Sequence, residues 1–585
     1  MARRRFEIFL IKPSRYDEDG YVVQWRRTIV ASNSLACVNA LFADCAAKQV
    51  LGPDVDIGLH PADECNTVID VNRIIRTIGA AGGGMVGLVG VQSNQFPRAL
   101  DLGRQFRAAG IPVVIGGFHV SGCLAMLPDM PGDLKEALDL GISLFAGEGE
   151  GRIAALLRDA AAGTLAPVYN YLSDIPDMGG APPPILPAGV IARNVSKETT
   201  FDAGRGCPFQ CSFCTIINVQ GRKSRYRSGD EVEAIIRANL AQGITRFFVT
   251  DDNFARNRNW DEILDRLIHL RENEDIDLTL IFQVDTLCHR MPGFIEKAAR
   301  AGAICVFVGL ENINPESLLG TKKRQNKIWE YREMFLAWRR VGVITCAGYI
   351  LGFPTDTQES IARDIDLIKR ELPVDILEFF YLTPLPGSED HKGLHARGVA
   401  MEPDMNDYDL EHVCADHPLM SKEAWRAAYR DAWERFYSDD HVERILRRGI
   451  ASKLRAQMML QRHLVAFSSA NRIEKLHPLQ LGIARRKVRT QRRHGMPIVS
   501  PWRFYPARVL DSLSRGAQWL RVYWRYAGMA RRIRAADAGL DPADAAMRPV
   551  SENEQGMSGL VAAYGDKIPN THGAPPRERA AVAAG

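Results

Sequence analysis

The 585-residue chain contains no run approaching the roughly eighteen uninterrupted apolar residues of a membrane-spanning helix, which excludes a helical crossing of a bilayer. Its eleven cysteines are too sparse for a disulfide scaffold, and Cys37, Cys45, Cys305 and Cys346 fall inside apolar helix or strand patterns as reduced core residues. An export signal is not read either. The apolar run Phe6 to Ile11 behind the basic start Met1-Ala2-Arg3-Arg4-Arg5 is short and carries Glu7, so it reads as a lead into a buried strand and the expected location is cytoplasmic. Acidic residues are nearly missing from one stretch: residues 447–534 hold 21 Lys or Arg against only Glu474 and Asp511, a local charge of +19 in a chain whose net charge is +4.

With 46% hydrophobic and 25% charged residues, the chain has the balance of a globular α/β protein too long for one core. Residues 1–162 alternate apolar runs (Phe6–Ile11, Val55–Leu59, Met85–Val91, Pro112–Gly116, Ile142–Phe145) with helical patterns at 33–48, 70–81, 97–109 and 150–162. Such alternation specifies a parallel sheet covered on both faces, a doubly wound domain whose ligands lie beyond the carboxyl ends of its strands. A Pro-rich linker follows at 163–198.

From 199 to 420 a second series places strands at Thr199–Ala203, Arg246–Thr250, Leu278–Val284, Ile304–Gly309, Thr345–Leu351 and Ile376–Leu382, with helices at 229–242, 259–272, 292–301, 325–341 and 357–371. Six β/α units are too few to close an eight-unit barrel, so a partial (β/α)6 barrel is expected, with its chemistry at the carboxyl ends of the strands. Residues 421–540 read as a helical, basic region, and 541–585 lose apolar periodicity and read as a disordered tail.

One cysteine cluster departs from the core reading. Directly after the first barrel strand the chain reads Gly204-Arg-Gly-Cys207-Pro-Phe-Gln-Cys211-Ser-Phe-Cys214. Structural zinc normally takes four protein ligands and no fourth follows at finger spacing, whereas three thiolates on a cube of four irons leave one iron open to substrate. This Cys-x3-Cys-x2-Cys spacing, with Phe213 before the last cysteine, resembles the signature of the radical S-adenosylmethionine (SAM) superfamily. The resemblance implies a 4Fe-4S cluster on Cys207, Cys211 and Cys214, reductive cleavage of SAM to start radical chemistry on an unactivated carbon, and an electron donor such as flavodoxin or ferredoxin.

It also implies SAM contacts from Phe213, from the turn Asp251, Asp252 and Asn253 after the second strand, from Glu311 after the fourth, and from Gly348, Ile350 and Gly352 near the adenine. Each of these acids has an alternative as a helix cap or solvated loop residue. At Thr355-Asp356-Thr357 the chain departs from the family's common Gly-Glu-Thr, which puts the local turn in question while keeping a helix start.

The amino-terminal domain resembles the cobalamin-binding domain of one radical SAM subfamily. The residues that carry this are Gly116, Gly117 and His119 after the fourth strand and Gly147, Glu148 and Gly149 after the fifth, where glycines let backbone approach a flat macrocycle. No Asp-x-His-x-x-Gly motif is present, so bound cobalamin would have no histidine from that motif beneath its metal. His119 either contacts the corrin or hydrogen-bonds a loop, and the domain either binds cobalamin or is a degenerate relative. The pair of domains implies cobalamin-dependent methyl transfer to a small-molecule or lipid substrate. The alternatives are rearrangement or cyclisation without methyl transfer, and a non-catalytic cobalamin or cluster sensor.

In the basic region Leu510, Leu513, Ala517, Leu520, Trp524 and Ala527 recur at steps of three and four, one apolar stripe with Arg508 and Arg515 opposite and Arg521 and Arg525 flanking. Such a stripe either packs on the barrel with its arginines in solvent or makes peripheral contact with an anionic membrane at the inner face. Basic charge alone supplies only nonspecific nucleic-acid affinity, so nucleic acid is not an expected partner.

Overall fold

Val-, Ile- and Leu-rich segments near the amino end pair into a six-stranded, wholly parallel sheet. The structure, a computed structural model, describes residues 4–536, 539–549 and 558–564. Strands β1 (Arg4–Lys12), β3 (Val55–Asp63), β4 (Gly84–Leu88), β5 (Val113–Gly116), β6 (Ser143–Ala146) and β7 (Val168–Asn170) lie in the order β3-β1-β4-β5-β6-β7. The order reverses between β1 and β4, which opens a crevice at their carboxyl ends. Helices Asn33–Ala47, Val71–Ala81, Phe96–Ala108 and Ile153–Ala162 cross between strands, within a few residues of the expected ranges. Helices Phe118–Met126 and Gly132–Asp139 were not expected, and β7 extends the sheet into the Pro-rich linker.

The chain forms two compact units. Met1–Phe282, Thr383–Ala415 and Lys475–Ala517 make the first, and Gln283–Leu382, Asp416–Glu474 and Gln518–Gly585 the second. In the first, β8 (Glu198–Phe201), β11 (Arg246–Val249) and β12 (Thr279–Val284) pair in parallel, and the hairpin of β9 (Gly204–Arg205) and β10 (Arg225–Tyr226) follows β8. A further pairing joins β2 (Gln24–Thr28) to β16 (Gly482–Arg486), antiparallel. In the second unit β13 (Ala303–Glu311), β14 (Ile344–Leu351) and β15 (Ile376–Tyr381) are parallel. Helices Gly229–Leu240, Trp260–Glu272, Phe294–Ala301, Tyr331–Arg340 and Gln358–Glu371 alternate with these strands, completing six β/α units.

The departure at Thr355 leaves the helix start intact. Thr357 and Ser360 form a reciprocal capping box, and the Asp356 carboxylate accepts the backbone N–H groups of Gly352 (2.9 Å) and Phe353 (3.0 Å).

Two expectations for the carboxyl end need correction. Where it is described, the tail is packed: Asp544 forms a buried two-pronged ion pair with Arg448 (2.6 and 2.7 Å), and the Tyr564 hydroxyl bonds Asp364 (2.5 Å). The remainder of the expected disordered tail lies outside the described residues. In helix Pro501–Ala535 the buried face carries Phe504, Val522, Tyr526 and Ile533, with Arg508 and Arg515 half-buried on Asp511. Of the apolar stripe, only Ala527 at its end is buried, while Leu510, Leu513, Leu520 and Trp524 are exposed.

Candidate functional site

The strand β8 delivers the chain to Asp202, and the short β9 then leads through Gly206 to Cys207. The loop that carries the three cysteines is braced from several sides. Cys207 N–H donates to Gly221 O (3.4 Å), Cys214 N–H to Cys211 O (3.1 Å), Asp390 N–H to Ser212 O (3.1 Å), and Asn218 Nδ2 to Gly387 O (2.9 Å). Cys211 is buried, and Cys207 and Cys214 are partly exposed. Burial pushes the Cys214 thiol up to about 12, and Cys211, Asp252 and Cys207 add to that push. Phe213 is half-buried within the same loop. Such a donor set fits an iron–sulfur cube, whose positive irons would stabilise all three thiolates.

The turn after β11 supports this loop from below. Asp251 accepts Ala203 N–H (2.7 Å) and Asn257 Nδ2 (3.1 Å), and Asp252 takes the Gly206 N–H. Burial pushes both carboxyls up to about 7. Asp251 is thus committed to the strand end before the cysteines, and a small cleft between β9 and this turn is lined by Asp251, Asp252 and Asn253. In the second unit Glu311 ends β13 at φ +59, a conformation that few non-glycine residues hold, and its Oε1 pairs with Lys323 Nζ (2.6 Å). At Gly348 a Cβ would stand 2.9 Å from the Phe307 ring, and Ile350 is half-buried on β14. Gly352 has φ +99, and a Cβ there would meet the Trp425 ring at 1.9 Å, so only glycine fits.

At the carboxyl ends of β1, β4, β5 and β6 the doubly wound domain has a half-open cavity of about 180 Å3. Gly116, Gly117, Gly147, Glu148 and Gly149 line it. Gly117 is glycine because a Cβ would stand 2.2 Å from the Val91 backbone nitrogen. Asn33 also lines the cavity, and its buried Oδ1 has no hydrogen-bond partner. A buried orphan acceptor is costly, and an amide-fringed macrocycle such as a corrin would satisfy it, so these residues fit cobalamin.

His119 is placed elsewhere. It is buried outside the cavity lining, with Nε2 2.8 Å from Asp133 and Nδ1 3.1 Å from the Ser93 hydroxyl. Burial works against its charged form, yet Cys123 and Asp133 outweigh it and raise the ring to about 10.

The feature that sequence reading missed is a charged bridge. Glu148, on the lip of the cavity, pairs with Arg205 of β9 (2.6 Å) and with Arg225 of β10, while Arg205 also reaches Glu150 (2.8 Å) and Asp202. The only signal was an arginine two residues before Cys207, whose partners on the cavity lip, Glu148 and Glu150, lie more than fifty residues away.

Three thiolates on one short loop would leave a cube of four irons with one iron uncovered, and the β/α series behind them is the setting expected for radical SAM chemistry. The sequence model of the radical SAM superfamily matches residues 203–368. The bacteriochlorophyllide d C-12(1)-methyltransferase of Chlorobaculum tepidum is 29% identical over 54% of this chain and 66% of its own length. The hopanoid C-2 methylase of Rhodopseudomonas palustris is 25% identical over 49% of this chain, and the match spans about half of that relative, 53%. The fold is shared with the radical SAM methyltransferase TsrM of Kitasatospora setae, solved with cobalamin and a [4Fe-4S] cluster, at TM-score 0.55 and 16% identity over 80% of this chain and all of that one. Residues 203–368 thus match the radical SAM superfamily, and the chain is similar in sequence to methyltransferases.

Proposed function

We propose that this chain transfers a methyl group to an unactivated carbon of an apolar small molecule, a polycyclic lipid or a tetrapyrrole. Residues 1–162 serve as its cobalamin domain, 163–198 as the linker and 199–420 as its barrel. By their names, the relatives cited methylate a carbon position, one of a bacteriochlorophyllide and the other of a hopanoid.

The observation that carries the reading is the Glu148 bridge, which ties the lip of the cavity to the hairpin from which the cysteine loop departs. Two cofactors that must act on one substrate need their sites held in register, and a carboxylate shared by two arginines, Arg205 buried and Arg225 half-buried, does that. When bound, the cluster would supply the electron that cleaves SAM, and cobalamin would carry the methyl group.

The chain's own part is to hold and exclude. Cys207, Cys211 and Cys214 hold the cluster with one iron free. Asp252 and Asn253 of the first unit and Glu311 of the second are polar groups at strand ends offered to SAM, and Phe213, Gly348, Ile350 and Gly352 are further contacts in this reading. Gly116, Gly117, Gly147 and Gly149 admit the macrocycle. Flavodoxin or ferredoxin is the electron donor in this reading, and the location is cytoplasmic, with peripheral contact at an anionic membrane.

Anaerobic incubation of the reconstituted, reduced protein with SAM and a lipid or tetrapyrrole extract tests the reaction. A product heavier than its precursor by one CH2, labelled from methyl-labelled SAM, is expected. Formation of 5′-deoxyadenosine with no labelled product in any fraction would favour rearrangement, and no consumption of SAM would favour a sensor.

A further inference from the structure

The helix Pro501–Ala535 covers the protein with one face and leaves another bare. Trp502, Val509, Leu510, Leu513, Leu520 and Trp524 are between 57% and 89% exposed, and their steps of three, four and seven put them on one stripe. Scattered exposed apolar residues need no explanation, but a continuous stripe of this length does.

We propose that this stripe lies in the headgroup region of an anionic lipid bilayer, with the helix axis parallel to the membrane plane. The inference deepens the location given above and is independent of the methyl-transfer reading. Charge decides the occupant. The only acid of the helix, Asp511, is taken up on the buried side by Arg508 (2.8 Å) and Arg515 (2.6 Å). The exposed rim therefore carries basic residues alone: Arg503, Arg521, Arg525 and, beyond them, Arg531 and Arg532.

Arg531 stacks over the Trp524 ring and borders the stripe's carboxyl-terminal half with a guanidinium group, while Arg525 is paired with Asp439. A second copy of the chain on the same face would bring these arginine rows against each other with no acid from the helix to answer them. Aromatic rings stand at both ends of the stripe, Trp502 and Tyr505 at one and Tyr523 and Trp524 at the other, where amphipathic rings anchor to an interface. No helix of the described residues is long and apolar enough to cross a membrane, so contact along the surface is the mode that fits.

Flotation of the full-length, cluster-loaded protein with vesicles tests the proposal. We expect it to float with phosphatidylglycerol-containing vesicles at low salt, to stay behind with pure phosphatidylcholine, and to be released as salt rises. Leu510→Glu and Leu513→Glu together should lower the bound fraction about tenfold with no change in cluster absorbance, because both side chains are already in solvent. Absence of flotation at low salt would overturn the proposal, as would a double variant that binds like wild type. Sedimentation showing a dimer that the double variant dissolves would also overturn it and make the stripe a self-association surface. Each of these failures leaves the methyl-transfer assay unchanged.

Discussion

Cys207, Cys211 and Cys214 are the residues on which the chemistry depends, and eight other cysteines share the chain with them. Replacing any of the three with Ala should remove the brown chromophore and SAM cleavage together, as measured by iron and sulfide content and by 5′-deoxyadenosine. Cys305→Ala should keep both. These roles were legible in the sequence because ligand spacing on one loop is a local property. The charge state of a buried carboxyl is not local.

Glu378 was invisible for that reason: it is buried on β15, accepts from the Cys346 thiol (2.8 Å), and burial pushes it from 4.5 up to about 7. A carboxyl with a raised folded pKa contributes full stability below its unfolded value and loses it as pH climbs through the folded one. Glu378→Gln should remove this dependence. The thermal midpoint of wild type should therefore fall relative to the variant between pH 5 and 8, a difference of about 3 kcal/mol.

Among the elements, helices were the most readable, since apolar period and cap occur together in sequence. The capping box at Thr357 is an example, and Thr357→Ala should cost about 1 kcal/mol in thermal or denaturant unfolding. Strands β2 and β16 escaped notice because Gln-Trp-Arg-Arg-Thr and Gly-Ile-Ala-Arg-Arg show no apolar alternation. Their pairing is held by partners outside the strands, such as Arg485 on Asp17 (2.9 Å). The β9–β10 hairpin is likewise too short to announce itself, yet it carries the arginines that meet Glu148. Glu148→Ala leaves two half-buried guanidinium groups without that carboxylate. We expect a destabilisation of about 3 kcal/mol and, in protein loaded with cobalamin, a lower retained fraction by absorbance.

Across the whole molecule, two α/β series in tandem were readable because alternation of period survives any detail of packing. The cavity that goes with the first has no histidine among its lining residues, and His119 is held away by Asp133. Bound cobalamin should accordingly show a base-off absorption spectrum, and a base-on spectrum would refute this. What no local pattern could show is that the first compact unit is assembled from three separated stretches. Arg15 of the amino-terminal segment bonds Gln480 (2.7 and 3.0 Å) and pairs with Asp409 (3.0 Å), and β2 completes its only ladder on β16. During synthesis on the ribosome, the β2 strand can make its contacts with Cys65 and Asn194 early, but its ladder with β16 must wait until almost five hundred residues have emerged. Nascent chains stalled before residue 480 should show faster cleavage within β2 than chains stalled well past residue 493, in which the ladder with β16 is complete.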